Sequence, residues 1–508
     1  MGQSDLITQL GFSLIALLLP VLWIYRFRRL SGQGPATYPI IGCFISFYRN
    51  RRRLLTWYTE LLSRSQTQTI VVDRLGATRT VVTANPENVE YILKTNFNNF
   101  PKGKPFTDIL GDFLGRGIFN VDGAQWHAQR KMASHEFTVA ALRGYANGIL
   151  KEEVEERLLP VMEKMVGRVV DLQELLRRLA FDLVCRETLG FDPCLLDPDS
   201  DPLPVSDFGR AFDAVSMICA MRGAAAVPAV WKVKRALGVG SERELKRMLR
   251  KIHDPVNELI RVKKKLLSDE TGDSLGGKDL VSRLISAGHN DDEAIRDAAI
   301  SFVMAGRDTT SAAMTWLFWL LSRNPDVESR ILAEVSATFD SNSTHGDLFD
   351  KLKEMRVLKA CLCETMRLYP PVAWDSKHAL ADDTLPDGTA VGRGDRVTYF
   401  PYGMGRMEAL WGEDWAEFKP DRWLVGPGAK DPLNRVSPYK YPVFQAGPRV
   451  CLGKEMAFVQ MKYVVGSILR RFELSGVGEG EKVFVPMLTA HMAGGLNVLI
   501  QRRQVEKE

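Results

Sequence analysis

Cysteine is scarce in this chain, with seven residues in 508, and the count is odd. A low density and an odd count argue against a disulfide framework and favour a reducing compartment. Cys361 and Cys363 lie two positions apart, but no second pair follows, so the pattern does not support a zinc site. Cys185 and Cys219 lie among apolar residues, which predicts that both are buried.

An excess of charge of one sign is also absent. Lys and Arg total 67 against 62 Asp and Glu, a net charge of +5. We find neither a concentrated basic stripe nor a nucleic-acid-reading motif, so the sequence predicts no nucleic-acid partner. With 45% hydrophobic and 25% charged residues, the composition excludes disordered, collagen-like and mucin-like chains. Length alone would suggest roughly three domains.

Long apolar runs are missing except near the amino terminus. Leu6 to Tyr25 is a run of 20 residues without a charge, and Arg26, Arg28 and Arg29 follow it. Such a run can span a bilayer, and the arginines should remain cytoplasmic. A cleaved signal peptide is the alternative, but it would carry its basic residues before the apolar run. We therefore expect residues 1–30 to form an uncleaved membrane anchor.

A proline-containing segment, Gly34 to Gly42, follows the expected anchor. Proline fixes φ and lacks an N–H, so this segment cannot continue the anchor helix. The sequence predicts a stiff, proline-rich joint over residues 31–48 and a globular part over residues 49–508.

The globular part is mainly helical by pattern. Apolar residues recur at helical spacing over 149–165, 171–189, 242–268 and 294–322. Two β-branched runs within 69–84 predict a hairpin, and short strands are expected near 372–399 and 481–500. Residues 270–277 are typical of a surface loop rather than of a domain linker. The predicted class is mainly α with a minor β part.

The most informative segment is Phe444–Gly453, with the sequence Phe-Gln-Ala-Gly-Pro-Arg-Val-Cys-Leu-Gly. Its glycines allow the backbone to approach a flat ligand closely. Cys451 directly precedes a helical pattern, and the positive end of that helix, together with a nearby arginine, favours the thiolate. Thiolate is a strongly electron-donating ligand of haem iron. A single cysteine is usually a buried core residue, but the pattern Phe-x-x-Gly-x-Arg-x-Cys-x-Gly is too specific for chance.

On these residues the chain resembles the cytochrome P450 family of haem-thiolate monooxygenases, and the resemblance covers nearly its whole length. It implies haem as the cofactor and Cys451 as the axial ligand of the iron. It also implies that Phe444, Gly447 and Arg449 bind the cofactor. The implied fold is one cytochrome P450 domain around a single haem, carried by an N-terminal transmembrane helix.

Two helical motifs appear in the order that the family has. Trp126 and Arg130 are four positions apart and so share a helix face, and the resemblance implies that they hydrogen-bond a haem propionate. Ala305 to Thr310 places a glycine inside a predicted helix, and the resemblance implies a widened groove there. It also implies catalytic roles for Thr309, at the bound oxygen, and for Asp308, in relaying protons. The ordinary alternatives are a threonine bonded back to its own helix and a surface aspartate.

A third motif is structural. Glu364 and Arg367 lie at i and i+3, where side chains on a helix can pair. The resemblance adds Arg422 as the third member of this trio, with Trp423 where the family usually has Phe. The trio is expected to hold the core near the haem and to take no part in catalysis.

The order of the motifs is that of microsomal cytochromes P450. It implies an endoplasmic reticulum membrane protein with one span, a cytoplasmic catalytic domain, and electrons from an NADPH-dependent reductase. Lys440, Lys454 and Lys462 are candidates for a basic docking face, with ordinary solvated lysines as the alternative.

Several stretches resemble a plant family of fatty-acid ω-hydroxylases and jasmonate-conjugate hydroxylases. Two of them, Ser134–Thr138 and Leu488–Gly495, are most similar to the jasmonoyl-amino-acid hydroxylase branch. The implied reaction is hydroxylation of the terminal carbon (ω, C-12) of jasmonoyl-isoleucine. Hydroxylation of free fatty acids is the alternative. A haem-thiolate lyase or synthase is disfavoured by the presence of Thr309, and a haem-holding sensor by Asp308 together with Thr309.

These substrates are apolar chains with a distant carboxylate, so a mostly apolar pocket with one or two polar groups is expected. We hypothesise that Arg222 or Arg116 binds the carboxylate, because each is a charge within an otherwise apolar stretch. By family position, the predicted pocket residues are Phe113, Phe119, Arg222, Phe302, Ala305, Val372, Trp374 and Leu488.

Overall fold

The computed structural model describes residues 34–38, 40–269, 279–340, 347–424, 436–478 and 480–504. The predicted anchor and the whole of the predicted loop at 270–277 lie outside these residues. Within them, no helix is both long and apolar enough to cross a membrane.

Helices make up most of the described chain. In the first half they are α1 Phe44–Asn50, α2 Leu54–Arg64, α3 Pro86–Glu90, α4 Gly103–Leu114, α5 Gly123–Ser134, α6 Val139–Tyr145, α7 Leu159–Lys164, α8 Leu172–Leu189, α9 Asp207–Ala224, α10 Pro228–Leu237 and α11 Ser241–Asp269. In the second half they are α12 Leu280–Ser286, α13 Asp292–Leu321, α14 Pro325–Asp340, α15 Leu348–Glu354, α16 Arg356–Leu368, α17 Pro401–Met404, α18 Glu408–Trp411, α19 Asp421–Leu424 and α20 Lys454–Arg471.

The strands form small sheets. They are β1 Thr69–Val72, β2 Thr80–Thr83, β3 Val169–Asp171, β4 Asp375–His378, β5 Asp383–Thr384, β6 Ala390–Val391, β7 Arg396–Tyr399, β8 Phe472–Gly476, β9 Phe484–Val485, β10 His491–Met492 and β11 Asn497–Arg502. The largest sheet has the order β1-β2-β7-β4, in which β1 and β2 form the predicted hairpin and β2 runs parallel to β7. The mainly helical class with a minor β part is confirmed.

Three of the four long helices agree with the sequence pattern to within two residues. The fourth, predicted over 149–165, is helical from residue 149 to residue 164, but its hydrogen bonding is mixed. A π-helical turn covers Glu153–Leu158 and Leu159–Lys164 is α-helical, while Gly148, just before the predicted start, has non-helical dihedral angles. Pro160 lies in the first turn of α7 and lacks the N–H that regular α-helical hydrogen bonding to the preceding turn would need, which is consistent with the π-helical turn there.

Helices α8 and α13 position the centre of the molecule. Each begins at an aspartate whose carboxylate accepts backbone N–H groups of the first turn, Asp171 in α8 and Asp291 in α13. The two helices pack closely at Gly306, where a Cβ would lie 2.7 Å from the Val184 side chain. The glycine is therefore needed for this close helix contact.

Candidate active site

A cavity of about 540 Å³ lies between α13, the Cys451 loop and the β1-β2-β7-β4 sheet. Most of the residues singled out from the sequence meet on its wall. They are Phe119, Trp126, Arg130, Phe302, Ala305, Thr309, Val372, Trp374, Phe444, Arg449, Cys451 and Leu488. Their convergence from distant parts of the chain means that the span from Trp126 to Cys451 folds around one centre.

The loop before Cys451 is held by its backbone. The Cys451 N–H donates to the carbonyl of Phe444 at 2.8 Å, which closes the loop. Gly447 has a φ of +64°, and a Cβ there would lie 2.1 Å from the Leu93 carbonyl oxygen. Gly447 therefore allows a close contact between two backbone segments and does not line the cavity. The sequence predicted that Gly447 binds the cofactor.

The Cys451 side chain is open to the cavity, although protein surrounds the cavity itself. Burial raises the pKa of the Cys451 thiol above its ordinary value. The Gly453 N–H and the charges of Arg130 and Lys454 oppose this rise without overcoming it. The helix end and the two cations thus act in the direction that the sequence predicted, toward the thiolate, against the larger effect of burial.

Trp126 and Arg130 lie on one face of α5, as their spacing predicts. The Trp126 indole N–H has no acceptor among the described residues, and the guanidinium of Arg130 donates to the Val450 carbonyl at 2.7 Å. The Arg449 guanidinium lies 4.5 Å from the centre of the Trp126 ring and donates to Asp122 at 2.7 Å. This corner of the cavity thus presents an unused donor between two cations.

On α13, the hydroxyl of Thr309 donates to the Ala305 carbonyl at 2.8 Å. The side chain is thus bonded back to its own helix, yet it also lines the cavity and keeps its oxygen lone pairs free to accept. Asp308 does not line the cavity. One of its carboxylate oxygens is buried without a hydrogen bond and lies 3.6 Å from Nε of Arg307.

A buried charge network beside the cysteine loop was not found from the sequence. Asp375 accepts hydrogen bonds from Lys102 at 2.6 Å, Tyr399 at 2.9 Å and Gln445 at 2.7 Å. Burial alone would raise the pKa of Asp375, but the charges of Lys102 and Lys377 hold it below its usual range. Burial lowers the pKa of Lys377 to about 7. The network ties β4 and β7 to the loop that carries Cys451.

The structural trio is assembled around the fully buried carboxylate of Glu364. Arg367 donates to both of its oxygens at 2.8 Å, and Arg422 donates at 2.8 Å. Two further donors complete the set, the Lys419 backbone N–H at 3.0 Å and the Trp423 indole N–H at 2.9 Å. The role of Trp423 could have been anticipated, since replacing Phe with Trp adds an N–H donor.

The predicted substrate arginines do not lie on the cavity wall. Arg222 is buried in an ion-paired cluster, where it donates to Glu242 at 3.1 Å and contacts Asp112 at 2.8 Å. Arg116 pairs with Asp291 at the surface. Neither guanidinium is free to bind a substrate carboxylate, so the hypothesis is wrong for both. Phe113 is also buried away from the cavity, where its ring packs against α9.

The lysines near the cysteine loop differ in accessibility. Lys462 is buried and donates to the Leu352 carbonyl, so it cannot belong to a docking face. Lys440 lies 4.5 Å above the Trp411 ring, and burial lowers its pKa. Lys454 remains partly exposed.

The donor set of the cavity fits the haem that the resemblance implies. A thiol faces the interior, and an unused indole N–H lies between two guanidinium groups. A thiolate suits an iron ion, and clustered N–H donors and cations suit carboxylates such as the haem propionates. The residues that would hold the group are Cys451, Trp126, Arg130 and Arg449.

The comparisons with known proteins agree with this geometry. The sequence model "Cytochrome P450" matches residues 33–492. "Cytochrome P450 94B1" of Arabidopsis thaliana is 59% identical over 479 residues, covering 93% of this chain and 92% of the relative. "Cytochrome P450 94B3" of the same plant is 58% identical, covering 97% and 98%.

A more distant relative and a solved structure extend the comparison. "Cytochrome P450 94A1" of Vicia sativa is 42% identical, covering 92% of this chain and 90% of that protein. The fold matches the crystal structure of the cytochrome P450DA heme domain with a TM-score of 0.77 at 21% identity, covering 93% of this chain and 98% of that one. The chain therefore belongs to the cytochrome P450 family of haem-thiolate monooxygenases.

Proposed function

We propose that this monooxygenase hydroxylates the terminal (ω, C-12) carbon of jasmonoyl-L-amino acids such as jasmonoyl-isoleucine, a step in jasmonate turnover. One observation carries the proposal. The two stretches that are most similar to the jasmonoyl-amino-acid branch both reach the cavity wall. The first contributes Glu136 and Phe137, and the second contributes Leu488 and Thr489.

The residues of the chain divide the work of the reaction. Bound haem supplies the activation of dioxygen and the cleavage of the C–H bond. Cys451 would bind the iron, and Trp126 with Arg130 would orient the haem through its carboxylates. Thr309 presents a hydroxyl to the reacting face, while apolar residues such as Phe119 and Phe302 exclude water and hold the substrate chain.

Turnover by the full-length enzyme with a reductase and NADPH tests the proposal. Jasmonoyl-isoleucine should give the 12-hydroxy product faster than lauric and oleic acids give their ω-hydroxy acids, with the position assigned by mass spectrometry. Faster turnover of the fatty acids would replace the proposed substrate with the alternative. The Cys451→Ala variant should lose both the product and the carbon monoxide band of the reduced enzyme.

A rearranged product formed from a fatty-acid hydroperoxide, without NADPH, would identify a lyase or synthase instead. Two features argue against that class. Thr309 is present on the cavity wall, and the loop from Phe444 to Gly453 is continuous.

We further propose that the enzyme is anchored in the endoplasmic reticulum membrane with its catalytic domain in the cytoplasm, and that its electron donor is the NADPH-dependent reductase of that membrane. The uncharged run from Leu6 to Tyr25, followed by arginines, supports this topology. Protease treatment of intact microsomes should digest the catalytic domain, and protection of that domain would contradict the proposal.

A further inference from the structure

One face of the β1-β2-β7-β4 sheet forms a wall of the cavity. Side chains alternate along a strand, so every second residue points to the same face. Most strand residues on the wall follow this alternation: Val72, Thr80, Val82, Ser376, His378, Arg396 and Thr398, while Asp375, the first residue of β4, also reaches the cavity. In the register of the sheet, Arg396 lies between Thr80 of β2 and His378 of β4. Arg396 therefore lies in the end row of this face, flanked by a strand on each side.

The guanidinium of Arg396 has no hydrogen-bonding or ion-pairing partner among the described residues. Arg74, which follows β1, also lines the cavity, and its guanidinium lies 3.9 Å from the centre of the Phe47 ring. Its Nη1 atom is buried without a hydrogen bond. Val72, two residues before Arg74, is in register with Thr80, and Thr80 is in register with Arg396, so the two arginines lie near each other at this end of the sheet. Burial lowers the pKa of Arg396, and the charge of Arg74 lowers it further.

These two arginines differ from the other Lys and Arg residues of the wall. Each of the others has a protein acceptor: Lys102 pairs with Asp375, Arg130 with the Val450 carbonyl, Arg283 with Glu136, and Arg449 with Asp122. A buried cation without a counter-charge is destabilising, and a second like charge beside it adds repulsion. An anion bound between Arg74 and Arg396 would relieve both.

The surroundings fit a carboxylate. The planar guanidinium fork matches the two oxygens of a carboxylate. Tyr58 lines the same region, and its hydroxyl has no acceptor among the described residues. Burial raises the pKa of Tyr58, so the hydroxyl remains a proton donor. Two forks and a hydroxyl can thus converge on one small anion.

The position of the pair also fits a substrate oxidised at its far end. The hydroxyl of Tyr399, at the end of β7, lies 2.7 Å from Oε1 of Gln445 in the cysteine loop. Arg396 is at the opposite end of this strand, roughly 10 Å away along it. A substrate held at Arg396 would extend its apolar chain across the cavity toward Cys451.

We infer that Arg74 and Arg396 form the subsite that binds the substrate carboxylate. This inference rests on the proposed function, in which the substrate is an apolar acid. It replaces Arg222 and Arg116 in that role.

The test compares each acid with its methyl ester, because only the acid carries the charge. Substrate-induced changes in the haem absorption of the full-length holoenzyme give dissociation constants for jasmonoyl-isoleucine, lauric acid and their methyl esters. The wild type should prefer acids at least about tenfold. Arg74→Gln and Arg396→Gln should each weaken acid binding by about tenfold to a hundredfold and leave ester binding unchanged. The carbon monoxide band should stay intact.

Arg79→Gln is the matched control. Arg79 lies beside Thr80 on the same sheet, but it pairs with Asp395 and does not line the cavity. This variant should keep the preference for the acid. Equal losses for acid and ester in the Arg74 and Arg396 variants would indicate a structural role and overturn the inference, as would unchanged acid binding.

Different results would reject the carboxylate subsite and the proposed substrate. Turnover of lauric acid without turnover of jasmonoyl-isoleucine would reject the proposed substrate. Binding of lauric acid and its methyl ester would still test whether Arg74 and Arg396 bind a carboxylate. A wild type that binds no acid better than its ester would reject the carboxylate subsite whatever it oxidises. Weaker flotation of the double variant with phosphatidylserine vesicles, at an unchanged acid preference, would assign the pair to lipid headgroups instead.

Discussion

The indole N–H of Trp423 donates to Oε2 of Glu364 at 2.9 Å, inside the core and without access to solvent. The same carboxylate is shared by Arg367 and Arg422. A hydrogen bond to a buried charge is worth more than one between neutral groups. Trp423 therefore contributes to the same charge cluster as the two arginines.

Trp423→Phe should lower the free energy of unfolding by about 1.5–3 kcal/mol, because the ring stays apolar while the charged acceptor loses a donor. Urea unfolding followed by far-ultraviolet circular dichroism and by the carbon monoxide band measures this change. Trp411→Phe is the control. The indole N–H of Trp411 donates to the neutral Met404 carbonyl at 2.8 Å. Trp411→Phe should therefore lower the free energy of unfolding by less than Trp423→Phe does. Equal decreases in the free energy of unfolding would show that the hydrogen bond to the charged carboxylate is no stronger than the one to the neutral carbonyl.

Gly306→Ala should destabilise the protein by about 1–3 kcal/mol, although alanine favours a helix by up to about 1 kcal/mol over glycine. The reason is the Val184 side chain, which would lie 2.7 Å from the new Cβ. In a Val184→Ala background, the same change should be neutral or stabilising. Thermal unfolding of the four proteins gives this double-mutant cycle. An identical effect of Gly306→Ala in both backgrounds would rule out the contact as the cause.

The sequence was most informative where partners lie on one helix. Glu364 with Arg367, and Trp126 with Arg130, are three and four residues apart, and helical periodicity places each pair on a common face. Cys451 was singled out for a different reason, since its loop has a dense pattern of fixed residue types. These predictions needed no knowledge of tertiary structure.

The remaining features depend on how distant segments pair. Lys102 and Asp375 are 273 positions apart in the chain, and no local pattern connects them. Arg396 faces the cavity only because of the register of a parallel strand pair. Arg222 was misassigned because a charge in an apolar stretch is equally consistent with a buried ion pair, and its partner Glu242 lies on another helix. A local pattern therefore identifies a charged residue without identifying the group that it binds.

Asp182 should make the stability of the protein pH-dependent. Burial and the nearby Glu153 raise its pKa to about 7, although the Leu195 and Leu196 N–H groups oppose the rise. Because the unfolded chain releases this proton near its ordinary pKa of about 4, stability is greatest below that pH and falls until the pH reaches about 7. Asp182→Asn should remove this loss.

Between about pH 5 and pH 8, the wild type should lose about 2–3 kcal/mol of unfolding free energy relative to Asp182→Asn. Urea unfolding at several pH values provides the measurement. A constant difference across this range would mean that Asp182 titrates alike in the folded and unfolded chains.

Thr309→Ala should lower the product formed per NADPH oxidised by about tenfold or more and raise the release of hydrogen peroxide, because a hydroxyl that can hold or pass a proton at the reacting face is lost. Thr309→Ser should keep most of the coupling. Ser311→Ala is the matched control, since Ser311 also bonds back to the carbonyl four residues earlier, at 3.0 Å, but does not line the cavity. All three variants should keep the carbon monoxide band and should differ little in thermal stability. Thr309→Ala and Ser311→Ala could instead form the same amount of product per NADPH oxidised. The hydroxyl of Thr309 would then contribute only its hydrogen bond to Ala305, and the proton donor would have to lie elsewhere on the cavity wall.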